Sequence, residues 1–217
     1  NGDYIVQDPI WLANALELSA GLRLLGKTVV VGYANHQLLC LGAASVNAAA
    51  SGTWLNVRAF SPDRFRAADE EDQKRKTVWY YDPSSLSEYK PLFLDAALRA
   101  GVLAGMAPPP AFGSSYADAL FSGVQPSSVG FGEQDAFRHY LQCLLHQTRA
   151  ARASTFDATV TGIRQLLDSA ERQARALERN GVLAGARKFG DGFDPVRSAL
   201  SALEATKRSL AGLDEAP

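Results

Sequence analysis

Apolar residues near the start of the chain recur at helical spacing. The pair Asp8-Pro9 is typical of a helix start, because aspartate caps the first turn and proline fits its first position. Gly26 stands where a glycine commonly ends a helix. Between them lies a set that shares one side of a helix, called the first stripe below: Trp11, Ala15, Leu18, Leu22 and Leu25. We therefore predict a helix that turns the first stripe toward the core.

Four segments in the first half of the chain have the composition of β-strands. Residues 28–33 are apolar and β-branched, which indicates a strand buried on both faces. Residues 38–41 suggest the second arm of a hairpin, residues 53–60 alternate between apolar and polar, and residues 77–81 are rich in aromatic side chains. Pro91 then begins a helix. This order predicts an α+β fold, with a small antiparallel sheet of about four strands and helices on one face.

The last third of the chain carries the longest helical patterns. An apolar seam repeats at intervals of four and three, and it comprises Phe156, Val160, Ile163, Leu167, Ala170, Ala174 and Leu177. Such a repeat is typical of a coiled-coil-like helix face. After a glycine-rich link, Asp194-Pro195 begins a second helix, whose stripe comprises Val196, Leu200, Leu203, Leu210 and Leu213. Two helices joined by about a dozen residues most simply form an antiparallel hairpin.

These patterns divide the chain into three parts. Residues 1–110 carry the predicted sheet, and residues 111–130 are an irregular connection rich in glycine and serine. Residues 131–217 are predicted to be helical and to contain the hairpin. A single compact domain that includes all three parts stays open as an alternative, because the whole length is within the range of one large domain.

Composition and charge exclude few classes of function. The chain has 217 residues and 47% of them are hydrophobic, so a sizeable core can form. The formal net charge of −1 predicts no strong attraction to nucleic acid or to an anionic membrane. No apolar run reaches the roughly eighteen residues of a membrane span. Only six of the 22 basic residues are lysine, and this bias, together with abundant alanine, suggests a GC-rich bacterial genome.

Cysteine usage and the first residues bear on the location of the protein. Two cysteines are too few for a disulfide framework in a chain of this length. The sequence shows no basic stretch followed by an apolar leader. We therefore expect a cytoplasmic protein, and a secreted one stays open because the sequence begins with Asn1 rather than methionine.

Histidine and cysteine supply the candidate chemistry. His139, Cys143 and His146 occupy positions i, i+4 and i+7 of a predicted helix, so they share one face and could bind zinc. At 100° per residue, however, they lie opposite the apolar side of that helix. Metal motifs also more often use closely spaced pairs such as CxxC. The three residues are therefore either surface or the lining of a contact that the sequence does not show.

Basic residues of the helical part could bind a partner. The candidates, which would have to gather on one face, are Arg138, Arg149, Arg152, Arg187 and Lys188. Acidic residues are interleaved with the arginines of this part at helical spacing, as on an ordinary salt-bridged helix surface. Nucleic-acid binding is therefore an alternative that the pattern does not favour.

The regular seam and the lack of a catalytic motif favour a non-enzymatic assembly or interaction protein. We expect the helical hairpin to meet another protein or a second copy of this chain, and we expect no membrane partner. The first alternative is a metal- or Cys/His-dependent enzyme or toxin-like effector that uses His139 and Cys143. The second is a nucleic-acid-binding component with an arginine-rich face. No cofactor is indicated apart from zinc.

Overall fold

The structure is a computed structural model. It describes residues 4–52, 58–60, 77–112, 114–187 and 189–206. Its α-helices and strands, in chain order, are α1 (Pro9–Leu24), β1 (Val30–Val31), β2 (Ala48–Ala49), β3 (Tyr80–Asp82), β4 (Ser87–Tyr89), α2 (Pro91–Arg99), α3 (Glu133–Ala151), α4 (Phe156–Arg179) and α5 (Phe193–Ala205). Short 3-10 helices connect them, and His36–Ala44 is the longest of those described.

Side chains cap the first turns of α1 and α4. The Asp8 carboxylate accepts hydrogen bonds from the backbone N–H groups of Ile10 and Trp11, at 2.8 and 3.3 Å. The Thr155 hydroxyl accepts from the backbone N–H of Ala158 at 3.2 Å. These side chains satisfy N–H groups that have no partner inside the helix. The predicted start of α1 at Asp8-Pro9 is therefore confirmed.

The predicted four-stranded sheet is wrong for the part of the chain that the structure describes. That part contains two separate sheets of two strands each, with β1 and β2 parallel and β3 and β4 antiparallel. Of the strand predicted over residues 28–33 only two residues remain, and Val30 is exposed rather than buried. The strand predicted over residues 53–60 lies mostly outside the described residues. The broader prediction of an α+β fold is confirmed.

The segment predicted as the second hairpin strand is helical. Residues 38–41 lie inside the 3-10 helix His36–Ala44. Its first turn is capped by the Asn35 side chain, which accepts from the Gln37 N–H at 2.9 Å. A four-residue apolar run cannot distinguish a strand from a buried helix by its period. The capping asparagine was the local signal for a helix.

Two clusters of buried side chains hold the elements together. The larger cluster lies where α1, the helix His36–Ala44, α3, α4 and α5 meet. The smaller one joins β3, β4, α2 and the C-terminal end of α4. Tyr81 and Leu86, from the predicted first part of the chain, share the larger cluster with Tyr140 and Ile163, from the predicted third part. The core therefore crosses the boundaries between the predicted parts.

Helices α4 and α5 run antiparallel. Arg164 in the first half of α4 pairs with Glu204 near the end of α5, at 2.6 Å. Further along α4, Asp168 and Glu171 each lie 2.8 Å from Arg197 near the start of α5. The order of the pairs thus reverses between the two helices. All seven residues of the predicted α4 seam are buried inside the chain.

Helix α1 has nearly the predicted bounds, but its orientation is the reverse of the prediction. Its buried side consists of small and large apolar residues that include Leu12, Leu16 and Ala20, each at most 1% exposed. The first stripe faces outward, with Leu18 66% and Leu25 72% exposed. Because α1 is apolar on most sides, the spacing of its residues could not select the inner face. The predicted inward orientation of the first stripe is therefore wrong.

The orientation of α1 predicts that two similar substitutions change the stability by very different amounts. Leu16→Ala should lower the free energy of unfolding by about 2–5 kcal/mol, because it leaves a cavity in the core. Leu18→Ala, two residues away on the outer side, should change it by less than about 0.5 kcal/mol. Urea unfolding of dilute protein measures both. A larger loss in Leu18→Ala than in Leu16→Ala would show that the helix is turned the other way.

Candidate functional site

The outer side of α1 carries large apolar side chains. We call this surface the α1 outer face; it comprises Ile10, Trp11, Leu18, Leu22 and Leu25, all of which are exposed. The charged residues within α1 are Glu17 and Arg23, and Arg23 is buried. The α1 outer face thus combines extensive apolar surface with a single charged side chain. Such surfaces on proteins are commonly sites of interaction.

Arg23 fixes which side of α1 faces inward. Its Nε donates to the backbone carbonyl of Ser45 at 3.0 Å, and its Nη1 donates to that of Lys27 at 2.8 Å. A rotation of α1 that buried the first stripe would break both bonds, and it would expose Leu12 and Leu16 to water. The outward position of the stripe is therefore held by polar contacts as well as by packing.

A buried ion-pair cluster joins β4 to two arginines that are distant in sequence. Glu88 on β4 is buried, and both of its carboxylate oxygens are paired: Oε1 accepts from Arg58 at 3.0 Å and Oε2 accepts from Arg187. Two guanidinium groups for one carboxylate leave an excess positive charge. Aromatic rings offset it, because Arg58 lies 3.4 Å from the ring centre of Tyr140 and Arg187 lies 4.1 Å from that of Trp79.

His36 is enclosed by aromatic rings beside this cluster. Its ring centroid lies 4.6 Å from that of Phe189 and 5.3 Å from that of Tyr81. Burial, and then the charge of Arg58, lower the pKa of His36 to about 3. Within the described part of the chain, neither ring nitrogen has a hydrogen-bond partner. His36 is therefore a neutral aromatic core residue at pH 7.

Two of the predicted zinc ligands line the core. His139 and Cys143 are fully buried, and the sulfur lies 3.7 Å from each ring nitrogen of the histidine. The Nε2–H of His139 donates to the Tyr81 carbonyl at 2.7 Å, which leaves Nδ1 as an acceptor for the Ser114 hydroxyl at 3.1 Å. Of the two alternatives left open by the sequence, His139 and Cys143 therefore follow the second: they line a contact inside the fold, on a side of α3 that also buries Tyr140 and Leu144.

Burial determines the chemistry of this pair. It lowers the pKa of His139 to about 4 and raises the pKa of the Cys143 thiol to about 12. Both groups are therefore neutral at pH 7, whereas a nucleophilic cysteine must be a thiolate. The ring of His146 stacks on that of Phe112. The described residues contain no group of three or more histidine, cysteine, aspartate or glutamate side chains arranged for a metal ion; a zinc site at His139, Cys143 and His146 stays a prediction.

The predicted partner-binding cations are distributed over the structure. Arg149 and Arg152 line one groove, while Arg138 lies over the ring of a tyrosine. Arg187 is bound to Glu88, as described above, and Lys188 lies outside the described residues. Only Arg149 and Arg152 are thus shown to share a surface among the described candidates.

Comparison of the chain with protein-family models, with curated proteins and with solved structures finds no match in any of the three. Among the helices that the structure describes, none is long and apolar enough to cross a membrane. The function is therefore inferred from the contacts and surfaces of the chain itself.

Breaking the buried ion-pair cluster should destabilise the protein strongly. Glu88→Gln leaves two guanidinium groups without their carboxylate, and removal of one partner from a buried pair costs about 3–5 kcal/mol. Glu204→Gln is the matched control, because its pair with Arg164 is about one-third exposed and should contribute below about 1 kcal/mol. Urea unfolding at pH 7 compares them. Equal small losses in both variants would contradict the structural role of Glu88.

Asp82 is a second buried carboxyl group. Its Oδ1 accepts from the backbone N–H of Ser84 at 2.9 Å and from its hydroxyl at 2.6 Å. Burial nevertheless raises the pKa of Asp82 to about 6, so the folded protein holds a proton here that the unfolded chain releases near pH 4. His36 and His139 act in the opposite sense, because their lowered pKa values make the folded protein release protons that the unfolded chain binds below about pH 6.5.

The pH dependence of stability follows from these three groups. Near pH 5 the unfolded chain binds two more protons than the folded protein at His36 and His139, and one fewer at Asp82. The free energy of unfolding therefore decreases as the pH falls, with a slope that corresponds to a net difference of about one bound proton. Asp82→Asn removes the opposing group. The variant should lose stability about twice as steeply between pH 6 and 4, while it should be more stable than the parent at pH 7. Identical slopes in urea titrations at several pH values would contradict this assignment.

Proposed function

We propose that this chain is a non-enzymatic interaction protein and that it self-associates through the α1 outer face. The observation that carries the proposal is the exposure of the first stripe on a helix whose opposite side is already buried. A helix that is apolar all round is ordinarily covered on all sides. Within the described residues the inner side of α1 is covered by the core, and the outer side presents Trp11, Leu18 and Leu25 to solvent.

The charges at the two ends of α1 favour a second copy as the partner. Asp8 caps the start of the helix and Lys27 follows its end, and both are exposed. In an antiparallel pairing of two α1 helices, the Asp8 end of one copy meets the Lys27 end of the other. The positive end of each helix dipole then also lies beside the negative end of the other, which is favourable. An isologous interface of this kind repeats each favourable contact twice.

The spacing of the first stripe supports the same pairing. Its 4-3-4-3 repeat is that of a two-heptad helix seam, and Ala15 leaves room for a larger side chain from a facing helix. The α1 outer face comprises five exposed side chains, whereas a standard interface uses roughly 20–30 residues on each side. We therefore expect a weak dimer, with a dissociation constant in the micromolar range.

The other functions considered from the sequence have less support. The α4 seam is buried within the chain, so it is not the surface that we propose for the contact. A Cys/His enzyme would need a thiolate at Cys143, and its pKa of about 12 disfavours one.

Self-association is tested by a charge placed on the α1 outer face. Leu18→Asp should abolish the dimer, because the carboxylate would have to be desolvated at the centre of the interface. Leu92→Asp is the matched control, since Leu92 on α2 has the same exposure of 66% as Leu18. Sedimentation equilibrium between about 1 and 200 μM should show a monomer–dimer equilibrium for the parent chain and for Leu92→Asp, and a monomer for Leu18→Asp. A parent chain that stays monomeric, or a dimer that survives Leu18→Asp, would refute the proposal.

A further inference from the structure

A groove separate from the α1 outer face runs between β2 and the C-terminal end of α3. It has a volume of about 470 Å³ and is lined by the helix His36–Ala44, by Ala48 and Ala49, and by Arg149 and Arg152. This volume is within the range of ligand-binding sites in proteins. No acidic side chain is among the described residues that line it.

Its floor depends on a close approach of two backbones. At Gly42, a Cβ atom would lie 3.2 Å from the carbonyl oxygen of Ala151, the last residue of α3. That distance is tighter than ordinary van der Waals contact, so a glycine lets the helix His36–Ala44 pass under the end of α3. The groove is thus formed by packed elements, which hold its two sides in fixed positions.

One side of the groove is the outer edge of β2. The Ala48 N–H donates to the Val29 carbonyl at 3.3 Å, and the Ala50 N–H donates to the Val31 carbonyl at 2.8 Å. In a parallel pair, the N–H and C=O groups of alternate residues point to opposite edges. Ala49 lies between Ala48 and Ala50, so its N–H and C=O groups point away from β1. Ala49 also lines the groove. A strand edge of this kind can pair with an added extended peptide.

The other side of the groove carries two arginines. Arg149 lies in the last turn of α3 and Arg152 is the extended residue that follows its end, and both line the groove. Both are exposed, and neither guanidinium has an ion pair or hydrogen bond within the described part of the chain. Guanidinium groups bind carboxylates through two parallel hydrogen bonds, which gives both affinity and orientation.

We propose that this groove binds an extended, acidic peptide segment of a partner protein. The peptide backbone pairs with the N–H and C=O of Ala49, and its carboxylates bind Arg149 and Arg152. A strand edge beside two arginines recognises the main chain and the negative charge together, whereas a phosphate or a nucleic acid would use the arginines alone. The site is independent of the self-association proposed above.

The test uses two fluorescent hexapeptides and measures binding by anisotropy. The acidic peptide alternates valine with glutamate and has a free terminal carboxylate; its control has glutamine in place of glutamate and an amidated end. The acidic peptide should bind at least about tenfold more tightly, since each charge-assisted hydrogen bond contributes more than a neutral one. A third version, N-methylated along its backbone, should bind about tenfold more weakly than the acidic peptide, because it cannot donate to the edge of β2.

Variants assign the binding to the groove. The double variant Arg149→Ala, Arg152→Ala should lose the preference for the acidic peptide. The control double variant Arg172→Ala, Arg179→Ala removes the same charge from two exposed positions of α4, and it should keep that preference. Circular dichroism verifies that both double variants are folded. Equal binding of the acidic and amide peptides, full binding of the N-methylated peptide, or tighter binding of a hexanucleotide that depends on Arg149 and Arg152 would each overturn the proposal.

Discussion

The structure depends on one buried carboxylate that binds two arginines from distant parts of the chain. Glu88 is 30 residues from Arg58 and 99 residues from Arg187 in sequence, so its two bonds close long loops that local structure does not specify. Arg58 also lies on the ring of Tyr140, whose hydroxyl accepts from the backbone N–H of His36 at 3.1 Å. The cluster thereby connects β4, α3, the helix His36–Ala44 and the segment before α5. Because an unpaired charge in this position would cost several kcal/mol, the fold admits few rearrangements of these elements.

Helix α1 shows how such a core can leave an apolar surface uncovered. Its inner side is fixed by Leu12 and Leu16 and by the two backbone contacts of Arg23. The opposite side then faces outward whatever its composition, and it carries side chains of the kind that proteins bury. A chain that places Trp11 and Leu25 there exposes apolar surface whose coverage by a partner would be favourable.

Local patterns in the sequence predict the helices well and the tertiary arrangement poorly. Caps at Asp8 and Thr155 and the repeat along α4 are local signals, and they give the correct elements. The inner face of α1 could not be predicted, because several of its sides are apolar and α5 and the helix His36–Ala44 together determine which one is buried. The spacing of His139 and Cys143 is visible in the sequence, but their burial depends on β3, whose Tyr81 carbonyl binds the histidine. Isolated charges such as Arg58 and Glu88 form no pattern in the sequence, and neither does the outer edge of β2 beside Arg149.

We propose that a second copy of the chain covers the α1 outer face. Methyl NMR with a soluble paramagnetic agent measures this directly, because the agent broadens the signals of leucine methyl groups that solvent can reach. At low micromolar concentration the signals of Leu18, Leu22 and Leu92 should all be broadened. At several hundred micromolar those of Leu18 and Leu22 should become protected, while Leu92 on α2 should stay broadened. Broadening of all three at both concentrations would contradict the account.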